Sequence, residues 1–283
     1  MKRNLCLIYI LFASLNFLHA QTNTWKIVGG RITTVWADSV NPTNVLPDYP
    51  RPQLQRNEWQ NLNGLWQYAI LPKAEGEAIP STLQGNILVP FCIESALSGV
   101  GKTIGKDSVL WYEKTFSITS KTKNKKVLLH FGAVDWQSDI YINGNKVATH
   151  EGGYDPFTVD ITSALKKGAQ QLAVHVWDPT DEGPQPRGKQ VVNPNGIWYT
   201  PVTGIWQTVW LEVVPETYIV LTKQTPDLDS KIITVNTSVE NILSGDLIHV
   251  SAWKDGEKIA EKSGTDTTVS LTIDNPEAWS PSH

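Results

Sequence analysis

Residues 127–162, VLLHFGAVDWQSDIYINGNKVATHEGGYDPFTVDIT, constrain the fold more than any other part of the chain. Val127-Leu128-Leu129-His130-Phe131 is an apolar run of strand length, and Asp139-Ile140-Tyr141-Ile142 is a second. The second runs into Asn143-Gly144, the preferred dipeptide of a two-residue hairpin because both positions accept positive φ. Gly152-Gly153-Tyr154 marks a further turn, and Asp160-Ile161-Thr162 closes the unit. Short strands joined by short loops predict an antiparallel jelly roll or sandwich.

The flanking sequence has the same texture. Trp59, Leu62, Leu65, Trp66 and Tyr68 read as one apolar first strand around Asn63-Gly64, and Ile87-Leu88-Val89 as a short buried strand stopped by Pro90. Residues 109–118 alternate, with Leu110, Tyr112, Phe116 and Ile118 on one face and Trp111, Glu113, Thr115 and Ser117 on the other. Residues 171–177 and 206–214 are long β runs, and the one helical turn expected follows Asp160. Beyond Pro215 the strands thin out, at 218–221, 232–239, 246–253, 258–260 and 267–273, with Asp255-Gly256 as a second hairpin signal. This spacing predicts an immunoglobulin-like sandwich, a fold of about seven strands. Five or six are countable before His283, so that sandwich is expected to be incomplete and the chain to be the front part of a longer protein.

The expected order is all-β. A secretory leader at 1–20 is followed by an extended Pro-rich arm at 21–55 and a galactose-binding-like jelly roll at 56–215. The incomplete immunoglobulin-like sandwich takes 216–283. The leader reading rests on Lys2 and Arg3, the apolar stretch from Leu5 to Leu18, and Ala20 before Gln21. It implies an exported protein, periplasmic or extracellular. Beyond the leader Cys92 is the sole cysteine, so neither a disulfide within the chain nor a thiolate metal site is expected. A net charge of −4 argues against nucleic acid or an anionic membrane as partner. Twelve Trp in 283 residues suit sugar-binding surfaces, which stack rings on the C–H faces of pyranoses, but β cores also bury such rings.

Six segments in order resemble the amino-terminal part of family 2 glycoside hydrolases, the group of β-galactosidases, β-glucuronidases and β-mannosidases. They are Pro50-Arg51-Pro52-Gln53, residues 61–66, residues 89–95, Leu110-Trp111-Tyr112, the opening block 127–162, and Ile197-Trp198-Tyr199 followed by Gly204-Ile205-Trp206. The resemblance implies retaining glycoside hydrolysis by two carboxylates about 5 Å apart, nucleophile and acid/base. In that family both come from a (β/α)₈ barrel beyond the immunoglobulin-like domain. No alternation of strands and helices occurs in this chain, so no catalytic residue is assigned to it. A stand-alone carbohydrate-binding module is the alternative reading.

The resemblance also implies a sugar-contacting position. In β-galactosidases an Asp on the last long loop, shortly before the Gly-Ile dipeptide, touches the sugar, and an ungapped match places Trp198 there. An indole stacks on a sugar ring but accepts no hydrogen bond, so the contact changes in kind. The preceding Pro/Gly-rich loop, 178–195, carries Arg187, Lys189, Gln190 and Asn195 as candidates to bond sugar hydroxyls, with packing against the barrel as the other reading. Glu94, Glu113, Glu151 and Asp160 read as turn caps or acceptors for backbone N–H groups. His130, His150 and His175 lack metal-ligand spacing, and no metal or cofactor is expected.

Overall fold

The computed structural model describes residues 25–281, so the expected leader lies outside the described residues. Residues 25–58 contain no strand, only 3₁₀ turns at Ala37–Ser39 and Pro52–Leu54. Twelve strands follow: β1 (Trp59–Asn61), β2 (Gly64–Pro72), β3 (Gly85–Val89), β4 (Ser108–Phe116), β5 (Lys125–Phe131), β6 (Val134–Asp135), β7 (Gln137–Ile142), β8 (Asn145–Glu151), β9 (Phe157–Asp160), β10 (Gln170–Trp177), β11 (Gly204–Ile205) and β12 (Val209–Pro215). One sheet has the order β3-β2-β4-β10-β7-β8, the other β1-β12-β5-β9, and β11 pairs with β6 as a short separate rung. The strand pairings are antiparallel throughout. Neighbours distant in sequence, such as β5 with β12, give the crossed-over order of a jelly roll. Among the described residues no helix is long and apolar enough to cross a membrane.

Alternation fills the space between the two sheets. Leu110, Tyr112, Ile140 and Val174 point inward from the larger sheet and meet Val127, Leu129, Phe131, Leu211 and Val213 from the smaller. The hairpin at Asn143-Gly144 has φ of 52° and 84°, the doubly positive conformation that this dipeptide tolerates. The 3₁₀ turn Thr162–Ala164 follows Asp160 as expected.

Two expectations need correction. The first strand is not one strand. The chain leaves β1 in the smaller sheet and enters β2 in the larger, and Asn63 pins the corner by accepting from Val209 N at 3.0 Å and donating to Thr208 Oγ1 at 3.3 Å. Leu62, Trp66 and Tyr68 still enter one core, so hydrophobicity alone does not reveal the change of sheet. The run at 206–214 is likewise shorter, with β12 beginning only at Val209. A further point concerns the outward face of β4. Trp111 on that face is buried under residues 76–83, with its Nε1 donating to Gly76 O at 2.8 Å.

The outer face of the smaller sheet is buried too, around a charge. On β12, Val209, Leu211 and Val213 face the core, which turns Trp210 and Glu212 outward. Glu212 is nevertheless fully buried. The Tyr49 hydroxyl donates to it, Arg51 Nη2 reaches both carboxylate oxygens at 3.0 and 2.9 Å, and Arg56 Nε donates at 2.9 Å. His130 Nε2 lies 3.2 Å away, and its ring stacks on Trp210. Burial opposes the Glu212 charge, yet the contacts from His130, Tyr49 and Arg51 outweigh it and hold the carboxyl at about 2. His130 is shifted down by burial in spite of that neighbour.

Five strands form the second sandwich: β13 (Tyr218–Asp227), β14 (Ile232–Glu240), β15 (Ile248–Lys254), β16 (Glu257–Gly264) and β17 (Thr268–Thr272). They pair as β13-β14-β17 and β15-β16. Val235, Ile248, Val269 and Leu271 are its buried apolar residues, with Thr237 buried beside them, and Asp255-Gly256 makes the β15–β16 turn with φ of 49° and 83°. Arg56 links the two sandwiches. While held by Glu212 it donates through Nη2 to Ile219 O and lies 5.5 Å from the Tyr218 ring centre.

Removing a buried ionic partner costs roughly 3–5 kcal/mol because the remaining charges lose their compensation. Glu212→Ala is expected to lower unfolding stability by about 3 kcal/mol in urea titration. A loss below about 1 kcal/mol would mean that the cluster is dispensable.

Candidate functional site

The loop between β10 and β11 is long, and its two ends are fastened to each other. Asp178, at the start, accepts Thr180 N at 2.7 Å through Oδ1, which makes a side-chain turn of the kind Asp favours. Its Oδ2 accepts from Thr203 Oγ1 at 2.9 Å, at the far end of the loop. Thr203, fully buried, also donates its N–H to Glu94 Oε2 at 2.9 Å. The next residue, Gly204, pairs with Asp135 across the β6–β11 rung. Gly204 has φ +92°, and a Cβ there would fall 2.0 Å from the Tyr112 hydroxyl, so the close approach requires glycine. Asp135 packs on Gly153, where a Cβ would stand 2.5 Å from Oδ1.

Three buried carboxyls therefore gather around Thr203-Gly204. Burial pushes Glu94 up to about 7, although Thr203 stabilises its charge. Burial raises Asp135 to about 8, reinforced by the charges of Asp178 and Glu94. Asp178 is raised by burial against the hydrogen bonds from Thr180 and Thr203. Glu94 Oε1 is buried without a hydrogen-bond partner. Among the described residues no group of three His, Cys, Asp or Glu side chains has the geometry to hold a metal.

Above the cluster lies a pocket of about 360 Å³ whose lining includes Glu94, Ser95, Thr200 and Val202 on one side and Gly30 to Ile32 on the other. The arm residues are strapped in place. Trp25 Nε1 donates to Leu97 O at 2.9 Å, Val28 N to Ala96 O at 3.0 Å, and Arg31 Nη2 to Gly101 O at 2.5 Å. A larger hollow of about 460 Å³ opens in the second sandwich, but Ile232, Ile233, Ile259 and Ile273 make its lining mostly apolar. Asp227, Lys231 and Glu277 are the charged residues of that lining.

All five candidate sugar contacts fall on one tongue formed by the loop. Tyr199 N donates to Lys189 O at 2.9 Å and Val191 N to Tyr199 O at 3.0 Å, so 189–191 runs beside 198–199. Trp198 is 40% exposed and its N–H donates to Asn195 O. Lys189 and Asn195 are exposed, with Asn195 Nδ2 donating to Asn193 O at 3.2 Å. Arg187 and Gln190 are half-buried, and Arg187 Nε and Gln190 Oε1 are buried without hydrogen-bond partners. The tongue thus presents Ile197, Trp198 and Tyr199 outward and keeps part of its polar set inside.

Of the acids read as caps, Glu94 and Asp160 accept backbone N–H groups, from Thr203 and Thr162, whereas Glu151 accepts from the Gln137 side chain. His150 stacks on Phe157, and His175 packs against Trp111 with the ring planes tilted by 59°. Asp135 and Asp178 were not among the sequence candidates. Their signal is a charge set directly against Trp in an apolar run, Val134-Asp135-Trp136 and Trp177-Asp178.

The cluster sets the pH response. In the unfolded chain carboxyls release their protons near pH 4, whereas folded Glu94 and Asp135 keep theirs to about 7 and 8. The folded state binds more protons in that window, so stability falls as pH rises through it. Glu212 acts in the opposite sense, and its contribution is lost as pH falls toward about 2. Melting temperature is expected to peak at about pH 5. Asp135→Asn should flatten the alkaline limb; an unaltered limb in that variant would exclude Asp135 as its source.

Comparison with known proteins places this geometry. Residues 100–200 match the family model described as glycosyl hydrolase 2 galactose-binding domain-like. A β-galactosidase from Thermoanaerobacter pseudethanolicus is 29% identical over 188 residues, covering 62% of this chain and 24% of that protein. A β-glucuronidase from Formosa agariphila is 30% identical over 170 residues, 60% of this chain and 15% of that protein. The chain thus spans a quarter or less of the length of these relatives. The Ruminococcus gnavus β-glucuronidase, solved in complex with C6-substituted uronic isofagomine, superposes with a TM-score of 0.61 at 23% identity. That match covers 80% of this chain and 41% of the other, and at this identity it establishes the fold.

Proposed function

The chain is homologous to the amino-terminal region of family 2 glycoside hydrolases, and from that premise we propose that it is the sugar-facing front part of an exported glycosidase. Its polypeptide would hydrolyse O-glycosidic bonds in carbohydrate metabolism. The two catalytic carboxylates would come from a barrel that is not among these 283 residues, and the tongue at 187–199 would shape the sugar site beside it. The homology over residues 100–200 carries this reading. Two features support it: the exposed Trp198-Tyr199 pair, whose rings suit the C–H face of a pyranose, and the hydrogen-bonding side chains Arg187, Lys189, Gln190 and Asn195 on the same tongue. Export is supported by the basic and apolar residues at 1–20 ahead of Gln21.

The purified 283-residue chain is expected to turn over no aryl β-galactoside or β-glucuronide, and clear turnover by a pure sample would reject the reading. In the complete polypeptide, Trp198→Ala should lower kcat/KM by roughly threefold to tenfold, the value of an aromatic contact of about 0.5–1.5 kcal/mol. Its melting temperature should hold. Equal losses of activity and stability would make Trp198 a packing residue.

A further inference from the structure

Three Asn-Gly dipeptides occur in the chain, Asn63-Gly64, Asn143-Gly144 and Asn195-Gly196. Asn is thermolabile, and most so ahead of glycine, where no Cβ shields the next backbone nitrogen from the side-chain amide. The fold treats the three differently. Asn143 engages its whole amide, with Nδ2 donating to Ala164 O and Gln170 Oε1, both at 2.9 Å, and Oδ1 accepting from Gln171 N at 3.0 Å. Asn63 is held at both ends as well, by Thr208 Oγ1 at 3.3 Å and Val209 N at 3.0 Å, and Gly64 after it is buried in β2. Asn195 and Gly196 are both exposed. Among the described residues the Asn195 side chain makes one hydrogen bond, from Nδ2 to Asn193 O at 3.2 Å, and the Gly196 N–H makes none. Gly196 has φ +55°, and nothing lies within 4 Å of the place a Cβ would take.

We propose that Asn195 is a site of spontaneous covalent modification, deamidating through a succinimide closed by the Gly196 nitrogen. The other two Asn-Gly pairs are protected by the fold.

The reaction needs only water and base, which reach an exposed turn and not a buried one. Base removes the Gly196 amide proton, and the nitrogen attacks Asn195 Cγ. An N–Cγ bond forms, the Cγ–Nδ2 bond breaks, and Nδ2 takes up a proton and leaves as ammonia. Water then opens the ring. Addition at Cγ gives aspartate, while addition at the backbone carbonyl carbon gives isoaspartate, whose chain runs through Cβ and Cγ. Overall one water is consumed, one ammonia is released, and nothing is oxidised or reduced. Either product replaces a neutral amide, both donor and acceptor, by an anion that only accepts. Isoaspartate also removes from the main chain the carbonyl to which Trp198 N donates at 3.0 Å. The modification does not depend on the carbohydrate reading, but it puts a negative charge on the tongue that the reading assigns to sugar.

Incubation of the folded 283-residue chain at pH 8 and at pH 6, followed by digestion and mass spectrometry, reads the deamidated fraction at each dipeptide. Asn195 is expected to lead Asn63 and Asn143 by at least about tenfold, equivalent to about 1.4 kcal/mol of hydrogen bonds that the other two must first release. It should react faster at pH 8, because base takes the Gly196 proton, and both aspartate and isoaspartate should appear. In concentrated urea the fold no longer protects Asn63 and Asn143, and the three rates should converge. Asn195→Gln, whose longer side chain closes a larger and slower-forming ring, should leave that peptide unmodified over the same period. Three results would overturn the proposal: no lead for Asn195 in the folded chain, a lead undiminished in urea, or no isoaspartate among the products. None of them bears on whether the complete polypeptide hydrolyses aryl glycosides, so the broader reading is tested separately.

Discussion

The Glu212 carboxylate is the interaction on which the arrangement of the parts depends. A charge at the centre of an apolar strand is tolerable only if its surroundings supply donors, and here these come from elements far apart in sequence. Tyr49 and Arg51 belong to the arm, His130 to the strand beside it, and Arg56 continues to the second sandwich. One buried anion thereby fixes the course of the arm across the smaller sheet and the junction between sandwiches. Such a cluster adds less net stability than an apolar replacement of the same volume would, but it permits one arrangement and disfavours others.

The opposite end of the jelly roll solves a different problem with the same residue type. Around Thr203 the carboxyls are gathered without a cationic partner, and protons take the place of arginines. Glu212 is kept ionised and the Glu94–Asp135–Asp178 group is kept partly protonated, although all four are buried. The contrast comes from what surrounds each: two guanidinium groups in the first case, two threonines and a glycine rung in the second. The first arrangement ties distant elements to the sheet, and the second fastens the two ends of one loop at Thr203.

How much of this was readable in the sequence follows from the range of the interactions. Asn143-Gly144 and Asp255-Gly256 act within their own turns, and both hairpins stand where the dipeptides put them. The alternation in residues 109–118 gave the inward face correctly because period-two patterning is local. The corner at Asn63 was missed because its cause lies in Val209 and Thr208, almost 150 residues away. The covering of Trp111 was missed for a like reason, since the residues over it belong to the β2–β3 connection. The tongue was legible as a long polar loop. That Arg187 and Gln190 turn partly inward while Trp198 stays outward depends on the 189–199 pairing, which no local pattern encodes.

The bond between Thr203 and Asp178 closes a loop whose two ends lie 25 residues apart. Between those ends the loop touches the sandwich through Glu182, which pairs with Lys106, and through Gly188 beside Tyr154, while the clasp and the rung at Gly204 carry its attachment to the sheets. Inheritance can therefore rewrite the tongue, in length or in sequence, while the scaffold goes on folding as before. An engineer can do the same, treating the clasp as a socket into which other loops are plugged.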